Sequence, residues 1–173
     1  MLIKKVINLF KIKQQDSAFT LIEVMVAIFI ITVSTVGIVG LLQQSISTTS
    51  ISSAKLIANY LGQEGIEIVR NIRDTNWLEQ RDDLGVNWDD DIPVGDFEED
   101  YQSQRLERVY VGTKLNVDAS GFYSYSSGVP TNFKRKISIT KDTDIIKVII
   151  EVRWQDRGTE YFVAAQENLY RWR

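Results

Sequence analysis

The chain of 173 residues contains no cysteine and no histidine. The first absence rules out disulfide bonds, thiol nucleophiles and thiolate metal sites. The second removes the commonest general base and the commonest metal ligand. Serine–histidine and cysteine–histidine catalysis are therefore excluded. The carboxylates show no pair with a recognisable catalytic spacing either, so we expect a protein with no enzymatic activity and no cofactor.

Charged residues are almost absent from the run of about 24 residues between Phe19 and Leu42, where Glu23 is the only charge. A helix rises about 1.5 Å per residue, so this run is long enough to cross the ~30 Å hydrocarbon core of a bilayer. A carboxylate inside such a segment costs on the order of 3 kcal/mol on insertion scales. We therefore expect Glu23 to have a function.

The charge is unevenly divided along the chain. Residues 1–18 carry four lysines and one aspartate, a net of +3, which leaves 16 basic and 22 acidic residues in the rest. A basic flank before an apolar segment stays cytoplasmic under the positive-inside rule. We expect the remainder, with a net charge of −6, to lie on the other side of the membrane.

Helical periodicity continues beyond the apolar run. Apolar and small residues recur three or four positions apart, a spacing that puts them on one helix face. They are Ala54, Ala58, Leu61, Gly65, Ile68 and Ile72. The pattern predicts one helix from about Phe19 to about Arg73, apolar all round in its first half and amphipathic in its second.

An acidic stretch at residues 79–100 follows, with ten carboxylates against the single base Arg81. We interpret it as a solvated surface loop. The alternative is a calcium site, because clustered carboxylates suit hard cations. Its candidate ligands are Asp89, Asp90, Asp91, Asp96 and Glu98. Their spacing matches no known calcium loop, so no metal is assigned.

The period then changes from 3.6 to two. Residues 108–117, 136–139, 146–154 and 161–163 alternate between apolar and polar, which predicts about four antiparallel strands within residues 105–169. Hairpin turns are indicated at residues 142–144 and 156–158. One face of this sheet needs cover, and the apolar stripe of residues 54–72 supplies it. The predicted fold class is α+β.

The order of a basic leader, a small residue, the sequence Phe-Thr-Leu-Ile-Glu-Val from Phe19 and a membrane-length helix resembles the N-terminal signal of type IV pilins and pseudopilins. The resemblance is strong over residues 11–45. It departs at Ala18, where the family mostly has glycine. The predicted architecture also resembles that of pilins, whose long helix packs through its second half on a four-stranded sheet. The C-terminal part is similar, more loosely, to minor pilins and minor pseudopilins.

The resemblance implies cleavage between Ala18 and Phe19 by a prepilin peptidase and N-methylation of Phe19. The chain would then comprise a leader (1–18), a transmembrane and assembly segment (19–45) and a globular head (46–173). Glu23 would pair with the cationic amine of Phe19 in a neighbouring subunit. The implied partners are other pilin subunits, the assembly platform with its ATPase, and membrane lipid. The implied location is the cytoplasmic membrane, then a surface or periplasmic filament.

Three alternatives stay open. Tyr123 and Tyr125 lie in a loop rich in glycine and serine, where exposed tyrosines would form an adhesive surface. The basic patch of residues 134–136 and the tail of residues 170–173 would contact DNA, although the acidic charge outside the leader argues against nucleic acid as a partner. The third alternative is a single-pass membrane protein that carries a sensor or enzyme domain.

Overall fold

The structure is a computed structural model that describes residues 20–81 and 85–171. Its elements are a helix α1 and six strands. They are α1 (Leu21–Arg81), β1 (Gly95–Phe97), β2 (Lys114–Val117), β3 (Tyr123–Ser124), β4 (Val129–Asp142), β5 (Ile145–Asp156) and β6 (Thr159–Tyr170). The chain divides into two compact units, Met1–Ser47 and Thr48–Arg173, and α1 contributes residues to both.

Helix α1 ends at Arg81, eight residues later than the sequence predicts. The added turns are held by contacts that are distant in sequence. The Asn76 side-chain nitrogen donates a hydrogen bond to the carbonyl of Asp90 at 2.5 Å, and Trp77 packs against the hydrophobic core. The predicted end near Arg73 was therefore wrong because periodicity alone does not register such contacts.

The predicted apolar stripe on α1 is confirmed within the second unit. Its central members are buried, and Ala54 packs at the edge of the core. At Gly65 the helix backbone lies against the sheet. A β-carbon placed there would lie 3.0 Å from the Ile150 Cγ2 atom and 3.2 Å from the Arg135 Cδ atom. A larger residue would therefore push these side chains aside by a few tenths of an ångström.

The sheet is antiparallel with strand order β3-β2-β4-β5-β6, and β1 also pairs with β4. Strand β4 pairs through Lys134–Asp142 with β5 on one side, while β1 and β2 pair with separate parts of β4. The sheet thus has six strands rather than the four predicted. The additional strands, β1 and β3, are three and two residues long, too short to show a period.

Strand β5 supplies the centre of the core, as predicted. Its alternate residues are buried, namely Ile146, Val148, Ile150, Val152 and Trp154. The turn from β5 to β6 is also confirmed. Arg157 has φ 49° and Gly158 has φ 82°, and two consecutive positive φ angles characterise the type I′ hairpin turn.

The predicted strand over residues 108–117 is correct only for its last part. Val109 and Val111 are 65% and 80% exposed, and β2 begins at Lys114. Alternation identifies an extended segment but not a neighbouring strand to pair with. Residues before Lys114 are fastened mainly by carboxylates, as described below.

Candidate functional site

Glu23 and Thr20 form a reciprocal cap at the start of α1. The Glu23 backbone nitrogen donates to the Thr20 Oγ1 atom at 3.3 Å, and the Thr20 backbone nitrogen donates to the Glu23 Oε2 atom at 3.3 Å. This arrangement is a capping box, which satisfies amides that have no partner within the helix. The carboxylate also lies in the first turn, where the helix dipole favours negative charge.

The helix surface that follows the cap is apolar and exposed. Leu21 and Leu41 are 80% and 72% exposed, and the large apolar residues between them are exposed as well. By length and composition α1 is able to cross a membrane. An apolar surface of this extent calls for a bilayer or for other apolar helices as its environment.

Two of the predicted site residues, Ala18 and Phe19, lie outside the described residues. Cleavage between them and pairing of Glu23 with the Phe19 amine therefore stay predictions, as does the division at residues 18 and 45. Sequence reasoning missed Thr20. The spacing Thr20-Leu21-Ile22-Glu23 is a capping-box signature and was readable from the sequence.

A family model described as the prokaryotic N-terminal methylation motif matches residues 13–39. The chain carries the type IV pilin and pseudopilin signature. The match covers the six residues before Phe19, Glu23 and most of the apolar run. No curated protein and no solved structure matches the chain significantly. The pilin motif and the α+β fold with its long helix agree with each other.

Arg135 is fully buried between the helix and the sheet of this pilin-like chain. Its guanidinium donates to the carbonyls of Leu61, at 3.1 Å, and Glu99, at 2.5 Å. The Glu64 carboxylate lies 3.2 Å away as a counter-ion. The alternative that residues 134–136 form a basic patch for DNA is therefore wrong at its centre, because Arg135 is buried and is not available to DNA.

Glu98 is a buried carboxylate in the stretch predicted to be a solvated loop. Its Oε2 atom accepts hydrogen bonds from the backbone nitrogens of Gly112, at 3.1 Å, and Thr113, at 2.9 Å. The Thr113 hydroxyl and the Arg108 guanidinium donate to its Oε1 atom. Burial raises the pKa of Glu98, but these hydrogen bonds outweigh it and hold the pKa below its usual value.

Glu99, the next residue along the chain, has the same role. Its Oε1 atom accepts hydrogen bonds at 2.7 Å from the backbone nitrogens of Glu107 and Arg108, and the Ser103 hydroxyl donates to its Oε2 atom. The two carboxylates thus fasten residues 103–113 to the sheet. The prediction of a solvated acidic loop was wrong for Glu98 and Glu99. Composition alone does not show which backbone amides elsewhere in the chain need an acceptor.

The remaining candidate calcium ligands are dispersed. Asp89 forms an ion pair with Lys141 at 2.7 Å, Asp90 accepts from the backbone of Asn87, and Asp96 accepts from the Ser138 hydroxyl. Among the described residues, no group of three or more acidic side chains converges on a common point. The alternative of a calcium site stays untested.

The aromatic loop, which one alternative made an adhesive surface, is partly packed inward. Tyr123 and Tyr125 are half-buried and contact the core. The Tyr125 backbone nitrogen donates to the Asp100 carboxylate at 3.0 Å, and burial raises the pKa of its hydroxyl. Phe122 is the exposed aromatic residue of this loop instead. Trp88 and Trp154 lie in the core, and Trp77 packs at its edge.

Proposed function

We propose that the chain is a structural subunit, a minor pilin or pseudopilin, of a type IV pilus or type II secretion-like filament. A prepilin peptidase would cleave it between Ala18 and Phe19, and the exposed apolar part of α1 would assemble it. One observation carries the proposal: a membrane-length apolar surface bears a single carboxylate in its first turn, inside the methylation motif.

The apolar segment has two suitable environments in this proposal. In the membrane, lipid covers residues 21–42 and the subunit is stored. In the filament, the same side chains pack against those of neighbouring subunits. Both environments keep the apolar area out of water, a transfer worth about 25 cal/mol per Å². Exchange between them therefore costs little hydrophobic free energy.

Glu23 would set the register of assembly. A carboxylate buried among apolar helices is costly unless it has a partner. The cationic amine of Phe19 on the neighbouring subunit is the proposed partner. A subunit at the wrong axial position would leave both charges unpaired, so one attraction would select one axial step.

The charge distribution supports the topology of the proposal. The leader has a net charge of +3 and the rest of the chain −6, which favours a cytoplasmic leader and an external head. The proposed partners are the peptidase, other pilin subunits, the assembly platform with its ATPase, and membrane lipid. The proposed locations are the cytoplasmic membrane and then a surface or periplasmic filament.

We also propose that the head is not an enzyme. Its adjacent buried carboxylates, Glu98 and Glu99, are the pair that a catalytic role would use. Each of them accepts hydrogen bonds from the chain's own backbone amides. Carboxylates bound in this way are stabilised as acceptors and are poorly placed to exchange protons with a substrate.

The test compares Glu23→Ala with Glu23→Gln in cells that assemble filaments. Glutamine at this position retains the capping box but removes the charge. If charge pairing sets the register, both variants stay in the membrane and neither enters filaments. The measurement is the amount of subunit in the sheared filament fraction relative to the membrane fraction.

Thr20→Val is the matched control, because it removes the cap's hydroxyl and keeps the carboxylate. We expect this variant to enter filaments. Normal incorporation of Glu23→Gln together with loss of Glu23→Ala would assign Glu23 to helix capping instead. Normal incorporation of both Glu23 variants would contradict the proposed role of the charge altogether.

A further inference from the structure

A row of three cations crosses the face of the sheet opposite α1. Lys114 of β2 is the register partner of Lys134 of β4, which is the register partner of Arg153 of β5. Like charges placed directly opposite each other on neighbouring strands destabilise a sheet. We call these three residues the cationic row. Because the row destabilises the sheet, a negative charge from outside the sheet would stabilise the fold.

Within the described part of the chain, carboxylates neutralise the charge at only one end of the row. Arg153 forms ion pairs with Glu151 at 2.7 Å and Glu160 at 3.2 Å. Neither Lys114 nor Lys134 has an ion pair with any described residue. Both line a small polar depression together with Asn132 and Gln155. The two lysines are thus available to an anionic group from another molecule.

The opposite charge lies at the other end of β4. Residues 89–91, the acidic turn, are three consecutive aspartates, and Lys141 near the end of β4 forms an ion pair with Asp89. Seven residues of strand separate Lys134 from Lys141, about 23 Å at 3.3 Å per residue. This distance exceeds the Debye length of about 8 Å at physiological salt. The row and the turn therefore do not neutralise each other within one head.

We propose that the cationic row of one subunit binds the acidic turn of a second copy of this chain. The two surfaces differ, so the contact is heterologous. Such a contact repeats along an open assembly instead of closing as a two-fold dimer. The inference rests on the proposed function, since filament assembly is what brings the heads of neighbouring subunits side by side.

Charge favours a protein carboxylate over nucleic acid as the occupant. Glu151 and Glu160 flank the row, and the chain outside the leader has a net charge of −6. A nucleic acid backbone would bring a continuous line of phosphates against these carboxylates. A turn of three aspartates presents its negative charge locally and avoids them.

The chain's lack of cysteine allows a site-specific cross-linking test. Asn132→Cys places a thiol beside the row, and Val94→Cys places one three residues beyond the acidic turn; both positions are exposed. The two full-length variants, one with a size tag, are co-expressed in filament-forming cells and oxidised. We expect a mixed disulfide dimer in the sheared filament fraction and no dimer from either variant alone.

Neutralising the charges tests their role. Adding Lys114→Gln and Lys134→Gln to the Asn132→Cys variant should lower the mixed dimer about fivefold, the effect of losing one to two surface ion pairs. Asp90→Asn with Asp91→Asn on the other variant should lower it similarly. Lys147→Gln, at an exposed position on the same sheet face, is the matched control and should leave the dimer unchanged.

The outcomes separate the inference from the proposed function. Filaments that contain both variants but no mixed dimer overturn the inference and leave the proposed function intact. Absence of the cysteine-free parent from filaments overturns both. A dimer from Asn132→Cys alone indicates a two-fold contact and overturns the inference. If duplex DNA binds, the lysine substitutions abolish this binding and no mixed dimer forms, then the row binds nucleic acid and the inference is overturned.

Discussion

At the scale of single residues, Arg135 brings a positive charge into the contact between helix and sheet. Breaking a buried ion pair leaves the remaining polar groups without a partner and costs about 3–5 kcal/mol. The guanidinium contacts the Leu61 and Glu99 carbonyls and the Glu64 carboxylate. Arg135 therefore acts as a polar anchor between α1 and the sheet.

We expect Arg135→Ala to lower the free energy of unfolding by about 3 kcal/mol. The control is Lys136→Ala at the adjacent, partly exposed position, which should change it by less than about 0.5 kcal/mol. Chemical denaturation of the full-length chain in detergent, followed by tryptophan fluorescence, measures both. Equal effects would contradict the anchoring role.

Burial of Arg135 was predictable from the period of the strand. Ile137 and Ile139 set the inward face of β4, and Arg135 shares their parity. Its assignment to a basic surface rested on the composition of residues 134–136 and not on its position in the strand. The roles of Glu98 and Glu99 were not predictable in this way, because their partners are backbone amides eight to fifteen residues away along the chain.

At the scale of elements, Gly65 sets the distance between α1 and β5. We expect Gly65→Ala to lower the free energy of unfolding by about 1–3 kcal/mol, since the added carbon meets Ile150 at 3.0 Å. Gly62→Ala is the matched control one turn earlier, where an added β-carbon has no neighbour within 4 Å. It should raise stability by up to about 1 kcal/mol through helix propensity. Thermal unfolding of both variants measures the difference.

The connection between β1 and β2 depends on Glu98. Its folded-state pKa is lowered, so its contribution to stability is present above the unfolded pKa of about 4.3 and is lost as the pH falls through the folded value. We expect the wild-type chain to lose stability below about pH 4. Glu98→Gln should be less stable at pH 7 by about 1–3 kcal/mol, with a smaller loss at low pH. An unchanged pH profile in this variant would contradict the assignment.

The elements differ in how far sequence predicted them. Strand β5 and its turn were predictable because a long alternation and an Arg157-Gly158 pair specify a hairpin locally. Strand β6 was predicted only over residues 161–163, although it extends from Thr159 to Tyr170. The end of α1 was not, because Asn76 and Trp77 depend on distant partners. Val109 and Val111 alternate like strand residues, yet their segment lacks a full neighbouring strand. Local pattern succeeded where the stabilising contacts are local.

At the scale of the whole molecule, the chain combines an exposed apolar helix segment with an independently packed head that α1 enters through its second half. The methylation motif at residues 13–39 explains the first part. The anchored contact of helix and sheet explains how the second part holds its shape without disulfides.

The central claim is that this chain is processed as a pilin-like subunit. Intact-mass and N-terminal analysis of the full-length protein, co-expressed with and without an active prepilin peptidase, tests it most directly. We expect a peptidase-dependent form that begins at Phe19 and carries one additional methyl group. A chain that still begins at Met1 beside an active peptidase would contradict it.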